Sequence, residues 1–246
     1  MDRQWPQFRG PGGQGVSKNT NLPVKWDGTS GEGILWKVDL PTPGYSSPIV
    51  WEDRLFLTGS NGQNYEVYCY DARTGKLLWT RPVAPGGEAT MTPQVFEGDT
   101  GILAAATAVT DGRRVCAIFA NGDIGCFDFD GKELWSHALG PFQNMYGYAS
   151  SLALEDGRVI VQMDQANPNE KLSAVEAYDI ATGKRLWRAG RPVGGSWSSP
   201  IVAKPGERKI VVAAGNPLLI AHDFDTGKEV WRVDCMWDDQ APSPVA

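Results

Sequence analysis

Few residues of this chain are of types that break or make bonds. Its 246 residues include two histidines, His137 and His222, and four cysteines, Cys69, Cys116, Cys126 and Cys235. Neither histidine stands in a pattern with a serine or cysteine nucleophile, and both read as structural. The cysteines form no C-x-x-C, which argues against a zinc ribbon or a dithiol redox pair. Cys116 and Cys126 flank the hairpin turn Ala120-Asn121-Gly122-Asp123. A two-residue Asn-Gly loop sets Cys126 opposite Ala117 and Cys116 opposite Phe127, sending the sulfurs to opposite faces; a disulfide requires a different register. The stretch from Asp164 to Glu170 is rich in oxygen donors but lacks the spacing of a calcium loop, and it reads as a solvated turn. Asp238-Asp239 reads as an exposed acidic pair. What is left suits binding: the aromatics Tyr45, Tyr146, Tyr148 and Trp197, and the hydroxyls Ser47, Thr107, Ser151, Ser199 and Ser243, each just ahead of or at the start of a strand-like segment.

The elements that must position these groups are set by a repeat. D-x-x-T-G-K-x-x-W, or a close copy, occurs at Asp71–Trp79, Asp128–Trp135 (one residue short), Asp179–Trp187 and Asp223–Trp231. Successive tryptophans are 56, 52 and 44 residues apart, a period that with strand-like flanks indicates a propeller. Each copy reads as strand, tight turn, strand. Asp and Thr bond their own turn backbone, and Gly75, Gly131, Gly183 and Gly227 supply the positive φ. Two residues before each motif stands a small side chain, Cys69, Cys126, Ala177 or Ala221, as expected of a crowded core position. Trp79, Trp135, Trp187 and Trp231 are expected to lie buried between blades, near the Gly-Lys turn of an adjacent unit.

A second recurrent element lies upstream of each tryptophan: Ser46-Ser47-Pro48-Ile49-Val50, Thr107-Ala108-Val109, Ser150-Ser151-Leu152-Ala153-Leu154 and Ser198-Ser199-Pro200-Ile201-Val202. Thr92-Pro93 competes with Thr107 for the second copy but lies outside the spacing of the others. Each unit is then one blade of four antiparallel strands. The fold expected is an all-β propeller with an irregular arm over residues 1–33 and a partial propeller over 34–246. Its blades fall at about 45–80, 105–136, 149–188 and 197–232, and 240–246 begins a further blade. The segment around Trp36 reads as an orphan outer strand with the same docking role.

At this point the chain resembles the pyrroloquinoline-quinone-like (PQQ-like) propeller superfamily. The docking motif A-x-D-x-x-T-G-K-x-x-W is matched in full at Ala177–Trp187 and Ala221–Trp231. Trp5-Pro6-Gln7-Phe8-Arg9-Gly10-Pro11, Leu22-Pro23-Val24-Lys25-Trp26 and Ile34-Leu35-Trp36-Lys37 resemble segments of bacterial extracytoplasmic members. The resemblance implies about eight blades, of which this chain supplies roughly half. It also implies a periplasmic or otherwise extracytoplasmic location, although residues 1–30 are polar and contain no signal peptide.

The superfamily holds both enzymes and scaffolds, so fold does not decide function. Propeller sites lie on the face built from the loops that lead into the inner strands and join the second strands to the third. That face carries the aromatics and hydroxyls named above. They form either a rim binding a protein or peptide partner or a small ligand at the channel mouth, or a structural set in which hydroxyls satisfy strand-start backbone and aromatics fill gaps between blades. The resemblance also implies an alternative, a quinoprotein alcohol or sugar dehydrogenase using PQQ and calcium. Family alcohol dehydrogenases hold the quinone between a tryptophan and a ring of adjacent disulfide-linked cysteines. This chain has no adjacent cysteine pair, and no calcium ligand or catalytic base can be matched. The expectation is a non-catalytic envelope scaffold without a cofactor. A net charge of −6 with interspersed signs gives no basic stripe for nucleic acid, and no apolar run is long enough for a membrane span.

Overall fold

The computed structural model describes residues 4–84 and 99–246. Thr92-Pro93 lies outside them. The chain is all-β. Blade 1 comprises β1 (Ile49–Trp51), β2 (Arg54–Ser60), β3 (Tyr65–Asp71) and β4 (Leu77–Pro82). Blade 2 comprises β5 (Val109–Thr110), β6 (Arg114–Ile118), β7 (Asp123–Asp128) and β8 (Glu133–Ala138). Blade 3 comprises β9 (Ala153–Glu155), β10 (Arg158–Met163), β11 (Ala174–Asp179) and β12 (Arg185–Gly190). Blade 4 comprises β13 (Ile201–Ala203), β14 (Ile210–Ala214), β15 (Leu218–Asp223) and β16 (Glu229–Asp234). Each sheet is an antiparallel meander in chain order. The helical elements among the described residues are three short 3₁₀ turns, at Pro11–Gly13, Thr100–Ala104 and Pro168–Glu170.

Local chemistry explains the third-to-fourth strand turns. In blade 1 the Asp71 carboxylate accepts from Thr74 N at 2.8 Å, Thr74 Oγ1 at 2.8 Å and Arg73 N at 3.0 Å. The Thr74 bonds hold the Asp71 pKa below the usual carboxylate value. Asp179 and Thr182 repeat the arrangement in blade 3, and Asp223 and Thr226 in blade 4. The chain then passes through Gly75, Gly131, Gly183 and Gly227, with φ between +70° and +81°.

The cores lie between blades, where the facing sides of neighbouring sheets meet. Phe56, Val67 and Trp79 of blade 1 meet Val115, Ala117 and Phe127 of blade 2. Cys116, Ile118 and Trp135 meet Val159, Val161 and Tyr178 of blade 3. Ile160, Val175 and Trp187 meet Val211, Ala213 and Phe224 of blade 4. The small side chains Cys69, Cys126, Ala177 and Ala221 are fully buried.

Three sequence expectations are corrected. First, Cys116 pairs with Cys126 in register, and the two form a disulfide with their Cα atoms 4.1 Å apart. The hairpin loop is three residues long, not two. Phe119 N donates to Asp123 O at 3.0 Å and Gly122 takes φ +88°. The extra loop residue shifts the register by one and brings both sulfurs to the same face. Second, the segments around Trp36 and at Pro242–Ala246 are not strands. Third, Asp164 is fully buried and ion-paired to Arg191, so it is not part of a solvated turn. The exposed turn begins further on, where Asn167 caps Pro168–Glu170.

Candidate binding face and inner-strand channel

Two sets of inter-blade bonds place the loop face. On the outside, each tryptophan lies on the glycine turn of the following unit. The indole N–H groups of Trp36, Trp79, Trp135 and Trp187 donate to Ala72 O (3.0 Å), Phe129 O (2.9 Å), Ile180 O (2.9 Å) and Phe224 O (3.0 Å). The approach excludes any side chain: a Cβ on Gly183 or Gly227 would sit 2.6 Å from the Trp135 or Trp187 ring. Trp79, Trp135 and Trp187 are buried, whereas Trp231 is 38 % exposed and lines an open apolar groove of about 700 Å³ with Ile201, Ile210, Val212 and Leu219. The expectation that Trp231 is buried is corrected. Burial needs a following turn, and no glycine turn among the described residues covers Trp231.

On the inside, the Ser/Thr series forms a chain of bonds from blade to blade. Ser47 N donates to Thr107 Oγ1 (3.0 Å), Thr107 N to Ser151 Oγ (3.1 Å), Ser151 N to Ser199 Oγ (2.8 Å) and Ser199 N to Ser243 Oγ (2.9 Å). Thr107, Ser151 and Ser199 are buried. Their hydroxyls answer strand-start N–H groups that have no ladder partner, which makes them ties between blades.

The aromatics separate. Tyr148 is buried against Phe142, with ring centroids 5.3 Å apart, and burial pushes its phenol pKa up. Tyr146 and Trp197 form a tilted pair 5.4 Å apart, and Trp197 N donates to Gln240 O at 2.8 Å, bringing the Trp237–Gln240 loop alongside. Tyr45 stands apart over blade 1, largely exposed, its hydroxyl donating to Asp99. The structure therefore joins Tyr146 to Trp197, with Met145 and Trp237 exposed on neighbouring positions of the same loops. It does not join Tyr45 or Tyr148 to them.

Beneath that pair lies a buried polar cluster that sequence reading missed. Arg191 Nε and Nη2 reach Asp164 Oδ1 and Oδ2 at 2.8 and 3.1 Å, while Ser196 Oγ and Gln162 Nε2 reach Oδ2 at 2.8 and 2.7 Å. Burial drives the Asp164 pKa up, against the pull of Arg191 and of the Ser196 and Gln162 bonds. With four donors on its two oxygens, the ionised form is the one this geometry accommodates. The cluster ties the end of blade 3 to Ala213 and Ala214 of blade 4. One signal was present: Ile160, Gln162 and Asp164 share a strand face, so polar residues continue an apolar alternation. Arg191 lies 27 residues away and no spacing announces it. The histidines are committed to backbone, His137 Nε2 with Gly183 O at 2.7 Å and His222 Nδ1 with Gly227 O at 3.1 Å.

Residues 4–14 run along the inner strands and bond to their backbone. Trp5 bridges to Val50 with N···O distances of 2.8 Å in both directions, Thr110 N donates to Pro6 O at 2.9 Å, and Leu154 N donates to Gln7 Oε1 at 2.8 Å.

A sequence model of the family described as outer membrane protein assembly factor BamB matches residues 15–167, 63–194 and 171–243. The chain belongs to that family of PQQ-like propeller repeats. A curated member, outer membrane protein assembly factor BamB of Burkholderia pseudomallei (strain K96243), is 27 % identical over an alignment of 195 residues that covers 63 % of this chain and 47 % of that protein. Among solved structures, the quinohemoprotein alcohol dehydrogenase ADHIIG of Pseudomonas putida HK5 is 18 % identical with a TM-score of 0.68, covering 97 % of this chain and 41 % of its own. BamB of Moraxella catarrhalis is 16 % identical with a TM-score of 0.54, covering 81 % and 51 %. These likenesses show the propeller fold. The chain spans about half the length of the PQQ-like relatives it matches. Within the family's repeat, the tryptophan and glycine of each motif account for the outer ties described above. The hydroxyl series and the Asp164 cluster lie outside that motif.

Proposed function

We propose that this chain is a non-catalytic propeller scaffold of the bacterial cell envelope, working in the periplasm and binding a protein partner through its loop face. The observation that carries this reading is the match to the BamB family, which runs through all four blades. The geometry supports it. The hydroxyls of Thr107, Ser151 and Ser199 and the carboxylate of Asp164 are spent on ties between blades, while Met145 and Trp237 project outward beside Tyr146 and Trp197. Exposed aromatic and methionine side chains on rigidly held loops suit protein contact. The Cys116–Cys126 disulfide fits an oxidising compartment. Among the described residues, no helix is long and apolar enough to cross a membrane.

The residues present do not fit a quinone with calcium. The disulfide joins cysteines ten positions apart, and both are fully buried in the core between blades 2 and 3. Gln7 to Gly13 lie against Leu152 and Ala153 at the inner strand of blade 3 and Ile201 and Val202 in that of blade 4. The reading is tested by placing a photo-crosslinking residue at Tyr146 or Trp237 on the loop face, and at Lys76 or Lys184 on the opposite face, in cells. The expected result is one discrete envelope-protein adduct from the loop face and none from the other. Equal labelling from both faces would overturn the loop-face assignment. Saturable quinone and calcium binding with dye-linked oxidation of an alcohol or sugar would overturn the scaffold reading.

A further inference from the structure

We infer that the channel between the inner strands is a peptide-binding groove, which the chain's own residues 4–14 occupy as a removable plug. This rests on the arm's geometry and not on the partner reading above.

The arm touches every blade. Gln4 Oε1 accepts from Glu52 N (2.6 Å) and Trp5 bridges Val50 in blade 1; Pro6 O accepts from Thr110 N in blade 2; Gln7 Oε1 accepts from Leu154 N in blade 3; and Gly13 lies against Ile201 in blade 4. Beyond the fourth blade, Arg9 Nη1 donates to Ser243 O at 3.2 Å and Gln14 Oε1 accepts from Ala246 N at 3.0 Å. The inner strands of blades 1 to 3 thus offer backbone groups that the sheets leave unpaired on that side, and the arm answers them in turn. Addition of an extended segment to unpaired strand backbone, with side-chain pockets for selectivity, is a recurrent mode of peptide recognition.

The arm is also shaped for the task. The chain leaves the Trp5 bridge and hooks through Gly10 N to Gln7 O (2.8 Å) and Gly13 N to Gly10 O (3.0 Å). Gly10 takes φ +70°, and a Cβ there would lie 2.5 Å from the Trp5 ring, so the hook closes only with glycine. Gln7 is 7 % exposed. The groove therefore selects a Trp-Pro-Gln start followed by a glycine turn.

Two features make the plug separable from the blades. The ties between blades, indole to turn and hydroxyl to strand-start N–H, do not involve the arm. Every residue from 19 to 35 is exposed, so the arm is joined to blade 1 through a solvent-facing segment.

The test keeps the whole chain. A specific protease site is inserted after Thr20, the folded protein is cut, and a fluorescein-labelled peptide of residues 1–16 is added while anisotropy is followed. The expected result is saturable binding to the cut protein and none to the uncut protein, with displacement by unlabelled peptide. A Gln7→Ala peptide should bind about tenfold more weakly, because the Leu154 N–H loses its acceptor. Two results would overturn the inference. If the cut protein keeps its far-UV circular dichroism but takes up no labelled peptide, the arm is not exchangeable. If the cut protein unfolds when the arm leaves, the arm is part of the fold and not a plug.

Discussion

Trp187 and Trp231 close the same eleven-residue motif, yet one is 8 % exposed and the other 38 %. The difference lies in the neighbour. Trp187 rests on Gly227 and donates to Phe224 O, whereas Trp231 faces the open groove beyond blade 4. A repeat thus encodes half of each interface, and the burial that stabilises it is supplied by the next unit. Trp36 makes the complementary point, since it docks on Gly75 and Ala72 without belonging to any strand. The outer tie requires an indole and a glycine turn, not a continuous outer strand.

The largest expected effect comes from breaking that comparison directly. Trp187→Ala should cost roughly 3–5 kcal/mol and Trp231→Ala ~1 kcal/mol. Denaturant melts of the two variants would collapse the distinction if they agreed. Next in size is a matched glycine pair. Gly227 and Gly206 both have positive φ, but a Cβ at Gly206 meets nothing within 4 Å. Gly206→Ala should therefore cost ~1 kcal/mol for backbone strain alone, and Gly227→Ala roughly 2–4 kcal/mol because Trp187 must also move. Equal losses in thermal melts would mean that the close approach contributes nothing.

On the inner side, Ser199→Ala removes the acceptor of the buried Ser151 N–H and should cost about 1–2 kcal/mol. Ser47→Ala, whose hydroxyl makes no such tie among the described residues, should stay within about 0.5 kcal/mol. The smallest effect is a pH dependence. Burial lowers the His222 pKa below its ordinary 6.5, with the Arg191 charge adding to it. The folded state therefore prefers neutral His222, and the unfolded chain takes up a proton first as pH falls. This contribution is complete above pH 6.5 and declines below it. The drop in melting temperature between pH 7.5 and 5.5 should be smaller in His222→Asn than in the parent. Asp71 and Asp223, held low by Thr74 and Thr226, lose their contribution only at more acidic pH.

The blades were legible because their signals are local. An Asp-Thr-Gly-Lys turn satisfies itself within a few residues, and alternation shows in five. The two-residue reading of Ala120-Asn121-Gly122-Asp123 failed because Asn-Gly serves hairpins of either length, and one residue decides which face both cysteines occupy. The Asp164–Arg191 pair and the seating of Gln7 against Leu154 were not legible. Each joins positions far apart in sequence through groups that exist only once blades stand side by side. The hydroxyl series was visible as a pattern, and the structure supplied what the pattern lacked, a direction for each bond.

That direction has a consequence for how such chains change in length. At each of the three junctions between blades both donors, the indole N–H and the strand-start N–H, belong to the earlier blade, and both acceptors to the later one. Every unit therefore carries studs on one side and sockets on the other, as a moulded brick does. A duplicated unit spliced in at any junction finds a socket waiting and presents one in turn, while a deleted unit leaves its neighbours able to join. Blade number can then drift by gene duplication and loss with both of these ties kept at every new junction.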